Sequence, residues 1–217
     1  MDMGKVNSMD FREFVDVFGN VIERCPLTAA AVWSQRPFSD WEDLERHFSA
    51  FIDALPQSGQ EGVLRCYPDL AGRDLHRGAL TAESQREHSV AGLLSLGAAE
   101  GLRLAELNSQ YCARFGFPFV LAARLSDRGA VFRELERRLH RPSALELRTA
   151  LGEVKKICRL RLADLFGVDP AARPQRPCAP GPWTRGDRDP APCALGGGAG
   201  TVRKLTQRRG GLRQSYE

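Results

Sequence analysis

From residue 143 to residue 166, Leu147, Ala150, Val154, Ile157, Leu160 and Leu165 return to one side of a 3.6-residue helix, with charged residues between them. A stripe of that length cannot be left in water, so the rest of the chain must supply a surface to cover it. No stretch of the sequence alternates apolar and polar residues between turn signals as a strand would. The covering elements are therefore helices, and the expected fold class is all-α: a single compact multi-helix bundle of about eight helices.

The remaining periodic segments fit that expectation. Phe11, Phe14, Val15 and Phe18 form an amphipathic stripe within residues 8–22, which open on Ser8. Pro26 starts a short helix through Trp33. Four Ser-x-x-Glu patterns, at Ser39-Glu42, Ser58-Glu61, Ser84-Glu87 and Ser143-Glu146, read as capping boxes, each placing a helix start at its serine. Further helices are expected over residues 100–115 and 127–139. Between them Gly116 and Pro118 break the run, making residues 115–121 a bend that carries aromatic side chains.

The 217 residues include 31 Lys or Arg and 27 Asp or Glu, a net charge of +4. Nine of those cations and four of those acids fall in residues 169–217, a surplus of five, so residues 1–168 sit near −1. That excludes a basic nucleic-acid face on the folded part. Residues 169–217 also hold seven of the 13 prolines and eight of the 21 glycines. Such a Pro/Gly/Arg-rich tail buries too little surface to offset chain entropy and is expected to be disordered, leaving 1–168 as the helical domain. Its cations lack interleaved aromatic residues, so binding of nucleic acid or membrane is not expected. The N-terminus lacks a signal-peptide core and no window is apolar enough to cross a bilayer. The six scattered cysteines form no CxxC, and His47, His76 and His140 share no ligand spacing with an acid, so no metal is expected.

The least core-like stretch is residues 65–94. Pro68 and Gly72 fix a turn in Tyr67-Pro68-Asp69-Leu70-Ala71-Gly72. Twelve residues later Ser84-Gln85-Arg86-Glu87-His88-Ser89 packs six polar side chains into two turns, followed by Ala91-Gly92-Leu93. A surface helix spreads its polar residues around one outer face, whereas this block suggests side chains aimed at something.

PDLAG, LTAESQRE, FGFPFVLAAR and GEVKKICRLRL, at these separations, resemble the OHCU decarboxylases across residues 1–168. The resemblance implies decarboxylation of 2-oxo-4-hydroxy-4-carboxy-5-ureidoimidazoline (OHCU) to (S)-allantoin, late in urate breakdown, without a cofactor. Such a site must orient the carboxylate, stabilise an enolate-like intermediate and deliver one proton to one face. It further implies that position 67 is the catalytic histidine position, that Glu87 hydrogen-bonds near it, and that Arg161 meets the substrate's negative charge. Pro68, Ser84, Gln85, Arg86, Glu87, His88, Phe119, Val120, Leu121, Ala122 and Ala123 would line the pocket. From residue type alone Arg161 also reads as a helix-end surface arginine, and Ser84 as a simple helix cap.

Two positions depart from the family pattern. Its HPDLAG reads Tyr67-Pro68-Asp69-Leu70-Ala71-Gly72 here, and its glutamine after the glutamate is His88. Imidazole titrates near ~6.5 and phenol near ~10, so Tyr67 is no base at neutral pH and impaired activity is expected. The resemblance implies a homodimer and a peroxisomal location. The chain ends Ser215-Tyr216-Glu217, which is not a peroxisomal tripeptide, so the cytoplasm is the alternative.

Overall fold

The computed structural model describes residues 1–70, 72, 75 and 77–171, and among these every regular element is helical. The described elements are α1 (Met3–Ser8), α2 (Phe11–Phe18), α3 (Pro26–Trp33), α4 (Trp41–Ala54), α5 (Gln57–Arg65), α6 (Ala82–Val90), α7 (Ala98–Phe115), α8 (Arg128–Leu139) and α9 (Ser143–Phe166). Short 3-10 turns at Leu93–Ser95 and Ala123–Leu125 complete the set. The all-α expectation holds for these residues. The expected disorder of the tail lies, from residue 172 onward, outside the described residues, as do Ala71 and His76.

α9 is the hub. It packs on α4 and α5, while α2, α3 and α4 stack beside one another and α7 pairs with α8. Phe14, Phe18, Leu44, Phe48, Ile52, Leu64, Leu104, Val154 and Leu162 are fully buried in the shared core. Each such large side chain contributes about 1.5–3 kcal/mol relative to exposure.

The helix starts correct the four Ser-x-x-Glu readings. α4 is capped by Asp40, whose side chain accepts from the Asp43 backbone amide. α5 and α9 start after Pro56 and Pro142 and have no side-chain cap, so Ser58 and Ser143 lie inside their first turns. α6 is capped by Thr81, which accepts from the Ser84 amide. The reciprocal box that does form is at α2, between Asp10 and Glu13, later than the expected start at Ser8. A serine three residues before a glutamate fixes a helix start only if no neighbour on either side caps instead, and Asp40, just after Ser39, and Thr81, before Ser84, do.

Pro26 occupies the first turn of α3 as expected. Gly116 ends α7 at φ 77° and Gly92 follows α6 at φ 71°, both left-handed positions that suit glycine. Gly92 therefore separates α6 from the 3-10 turn at Leu93–Ser95. After Gly116 the chain runs through residues 117–122 without regular structure.

Candidate active site

α6 explains how six successive polar residues are used. Positions 84, 87 and 88 are related as i, i+3 and i+4, so Ser84, Glu87 and His88 share the inward face and are buried. Gln85, Arg86 and Ser89 are exposed. Opposite this face stand Tyr67 and Pro68, in the turn after α5, and the segment 119–123. Tyr67, Pro68, Ser84, Glu87, His88, Phe119, Val120, Leu121 and Ala123 line one cavity of about 20 Å³, with Leu70 and Ile157 closing it. Gln85, Arg86 and Ala122 do not line it, and neither does Arg161.

Arg161 lies directly behind Glu87, only 4% exposed. Its Nε donates to one Glu87 carboxyl oxygen and its Nη2 to the other, each at 2.8 Å. Nη2 also lies 2.8 Å from Glu23 Oε2 and 3.3 Å from Ser84 Oγ, and Nη1 donates to the Asn20 carbonyl at 2.8 Å. Glu23, fully buried, further accepts from the hydroxyls of Ser84 and Thr81, both at 2.9 Å. Burial alone would lower the Arg161 pKa; the bonds to Glu87 and its charge outweigh burial and hold it above the usual value.

Tyr67 and His88 are the unsatisfied groups of the cavity. Tyr67 Oη and His88 Nε2 are buried without a hydrogen-bond partner among the described residues. Burial pushes the Tyr67 phenol far above its ordinary value, although Arg161 opposes the shift. It is therefore a neutral donor throughout the physiological range. Burial lowers the His88 pKa, partly offset by its bond to Ser84 and by Glu87 and Glu23.

Two more spaces adjoin the cavity. Tyr67 and Pro68 also line an outer cleft of about 340 Å³ with Arg65, Cys66, Asp69 and Cys112. Glu87, seen from its other side with Arg161, lines a groove of about 540 Å³ bordered by Asn20, Glu83, Arg86, Arg124 and Asp164. Size alone would favour the groove. The cavity is the better candidate because Tyr67 and His88, two residues with unpartnered buried polar atoms, both line it.

Further buried side chains on three helices hold the lining in place. Arg138 and Glu146 are fully buried and paired at 2.6 Å; Arg138 Nη1 donates to the Val120 carbonyl at 2.9 Å, and its guanidinium sits 4.6 Å from the Phe119 ring centroid. Tyr111 donates to Glu146 at 2.5 Å. Glu153 accepts from the Ala122 amide at 2.9 Å, and Asn108 donates to the Leu70 carbonyl at 2.9 Å. Within the segment 119–123 the Val120 carbonyl and the Ala122 amide are thus bonded by side chains of α8 and α9 in place of a sheet.

The sequence profile of the OHCU decarboxylase family matches residues 7–163. This chain belongs to that family. Its members are carboxy-lyases, so the chain is of an enzyme lineage. A human relative is 79% identical over 171 residues, covering 79% of this chain and 99% of its own. The 2-oxo-4-hydroxy-4-carboxy-5-ureidoimidazoline decarboxylase of Mus musculus is 74% identical over 168 residues, 77% of this chain and 94% of its own. A crystal structure of (S)-allantoin synthase aligns with TM-score 0.61 at 23% identity, over 78% of this chain and 55% of that one. An OHCU decarboxylase crystallised in the presence of (S)-allantoin aligns with TM-score 0.54 at 21% identity, over 65% of this chain and 91% of its own. At those identities the two structures speak for the shared helical fold.

Proposed function

We propose that this chain decarboxylates OHCU to (S)-allantoin in the cavity between Tyr67, α6 and residues 119–123, more slowly than relatives with histidine at position 67. The observation that carries this reading is the convergence of Tyr67, Pro68, Ser84, Glu87, His88 and residues 119–123 on one space. Three far-separated stretches of family-like sequence meet there, and the polar groups they bring are the kind a proton-dependent decarboxylation uses.

In this reading Glu87, held on both oxygens by Arg161, is a fixed acceptor for ring or ureido N–H groups. Its fork-to-fork pairing limits it to one orientation. Arg161 acts through Glu87 and offsets the charge of the two carboxyl groups flanking it. The backbone of residues 119–123, anchored by Arg138 and Glu153, forms the opposite wall.

A cavity of about 20 Å³ has room on the scale of one water, far less than the substrate ring. Tyr67 and Pro68 line both this cavity and the outer cleft, and the Tyr67 ring is the larger of the two groups whose displacement would join them. Together with the neutral phenol, this supports reduced turnover. It also supports a second reading: a relative that retains (S)-allantoin or OHCU binding without catalysis.

The test follows (S)-allantoin by circular dichroism while OHCU is generated in situ from urate, with the full chain beside Tyr67→His. Acceleration by both, greater for the variant, is the expected result. Tight (S)-allantoin binding by calorimetry with no acceleration from the unmodified chain selects the second reading. A homodimer is part of the proposal, checked by sedimentation. So is a peroxisomal location, with the cytoplasm as alternative, checked by imaging the tagged chain. No helix among the described residues is long and apolar enough to cross a membrane.

A further inference from the structure

Nδ1 of His88 lies 2.6 Å from the carbonyl oxygen of Ser84, one turn back on the same helix. A carbonyl only accepts, so Nδ1 carries the hydrogen. In the neutral ring Nε2 is then a bare lone pair, and its tautomer is set by α6 itself. Nε2 is buried without a partner among the described residues, in a residue 3% exposed, and His88 lines the same cavity as Tyr67, whose hydroxyl also lacks a hydrogen-bond partner there. The charged and titratable groups around it are Glu87 on its own helix, Glu23 before α3, Arg161 on α9 and Tyr67 after α5. The segment 119–123 presents only apolar side chains. His88 is thus a buried base with a fixed tautomer, in the lining of a cavity beside a neutral donor, with one ring nitrogen left to take up a proton.

We infer that His88 Nε2 carries the proton in this chain's decarboxylation, the task that Tyr67 is unable to perform. This rests on the functional reading above. The step balances as follows. The bond between C4 and the carboxylate breaks, carbon dioxide leaves, and the electron pair forms C4=C5 as the C5=N electrons move onto nitrogen, which takes a solvent proton. The 4-hydroxyl proton of the resulting enol passes to Nε2 and C4–O becomes a carbonyl. The imidazolium then returns a proton to C5, and His88 ends neutral, as it began. Burial favours that resting neutral form.

The experiment measures initial rates of (S)-allantoin formation between pH 5 and 8, with OHCU generated in situ, for the full chain, Tyr67→His, His88→Gln and the Tyr67→His/His88→Gln double variant. The unmodified chain is expected to exceed the uncatalysed rate and to slow on the acid side. His88→Gln should lose at least ~100-fold, the lower range for general acid–base catalysis, and the acid limb with it. The double variant should regain activity through position 67. A second measurement, nitrogen-15 NMR of histidine-labelled protein, should show His88 protonated on Nδ1 and bare on Nε2 at neutral pH. Two results overturn the inference while leaving the functional reading intact: His88→Gln with the unmodified rate and profile, or an Nε2–H tautomer. Activity confined to variants carrying Tyr67→His overturns the inference and selects the binding-only reading. Inactivity of all four proteins overturns the functional reading and the inference together.

Discussion

Arg161 and Glu87 meet fork to fork, with Nε and Nη2 each 2.8 Å from a different carboxyl oxygen. The pair joins α9 to α6 and leaves Arg161 only 4% exposed, with Glu23 on its other side. It is the hinge between the hub of the fold and the polar face of the candidate site.

Removing that arginine leaves two buried carboxyl groups facing one another. Arg161→Met is expected to destabilise the chain by about 3–5 kcal/mol, the range for breaking one side of a buried pair. Arg161→Lys keeps the charge but cannot grip both oxygens, so it should lie between the two. Urea unfolding monitored by far-ultraviolet circular dichroism reads both. A loss under ~1 kcal/mol for Arg161→Met would show that the surroundings relax or hydrate freely, and the site would lose its claim to rigidity.

How far the sequence reveals this site follows from where charges fall on helical stripes. The apolar positions of α9 were visible, and so was the bundle. What the stripe alone concealed is that Glu146, Glu153 and Arg161 lie on the buried register among Ala150, Val154 and Ile157. Arg138 likewise follows Val131 and Leu135 at i+7 and i+3. A charge on an apolar register is the signal that a partner charge waits across the interface, and reading it would have found Arg138–Glu146. Glu23 carries no such mark, because it lies in the loop before Pro26, outside any periodic segment. The Ser-x-x-Glu patterns misplaced helix starts for a related reason. Ser84 and Glu87 face each other's turn on one helix whether they cap it or point into a cavity, and only Thr81 upstream decides which.

Arg138 tests whether the wall at residues 119–123 is held from behind. Arg138→Met should cost about 3–5 kcal/mol, since Glu146 loses its buried partner and the Val120 carbonyl loses its donor. Adding Glu146→Leu should recover part of that loss, because the stranded carboxyl group is removed. Denaturant titration of the two singles and the double completes the cycle. Strict additivity would mean that the two side chains do not act as a pair.

Tyr67→His is expected to raise the rate of (S)-allantoin formation by ~10²–10⁴, the span that a placed acid–base group supplies. The smaller ring also frees space toward the outer cleft, so (S)-allantoin should bind more tightly by calorimetry. A variant that binds more tightly without turning over faster would assign Tyr67 a steric role only.

Acid stability reports on the protonation of His88 without any substrate. Its pKa is lowered in the folded chain, chiefly by burial, from an unfolded value near ~6.5. The unfolded chain therefore takes up this proton first as pH falls. The stability linked to neutral His88 is fully present above about pH 6.5 and is lost as pH drops through the folded pKa. Glutamine does not titrate, so His88→Gln should lose less stability than the unmodified chain between pH 7 and pH 5, whatever its stability at pH 7. Urea midpoints at half-unit intervals, with slopes held common, give the two curves. Divergence confined to the acid side places a neutral imidazole in the folded cavity; parallel curves would mean that His88 keeps its solution pKa, and that the space around it is wet enough to hydrate a charge.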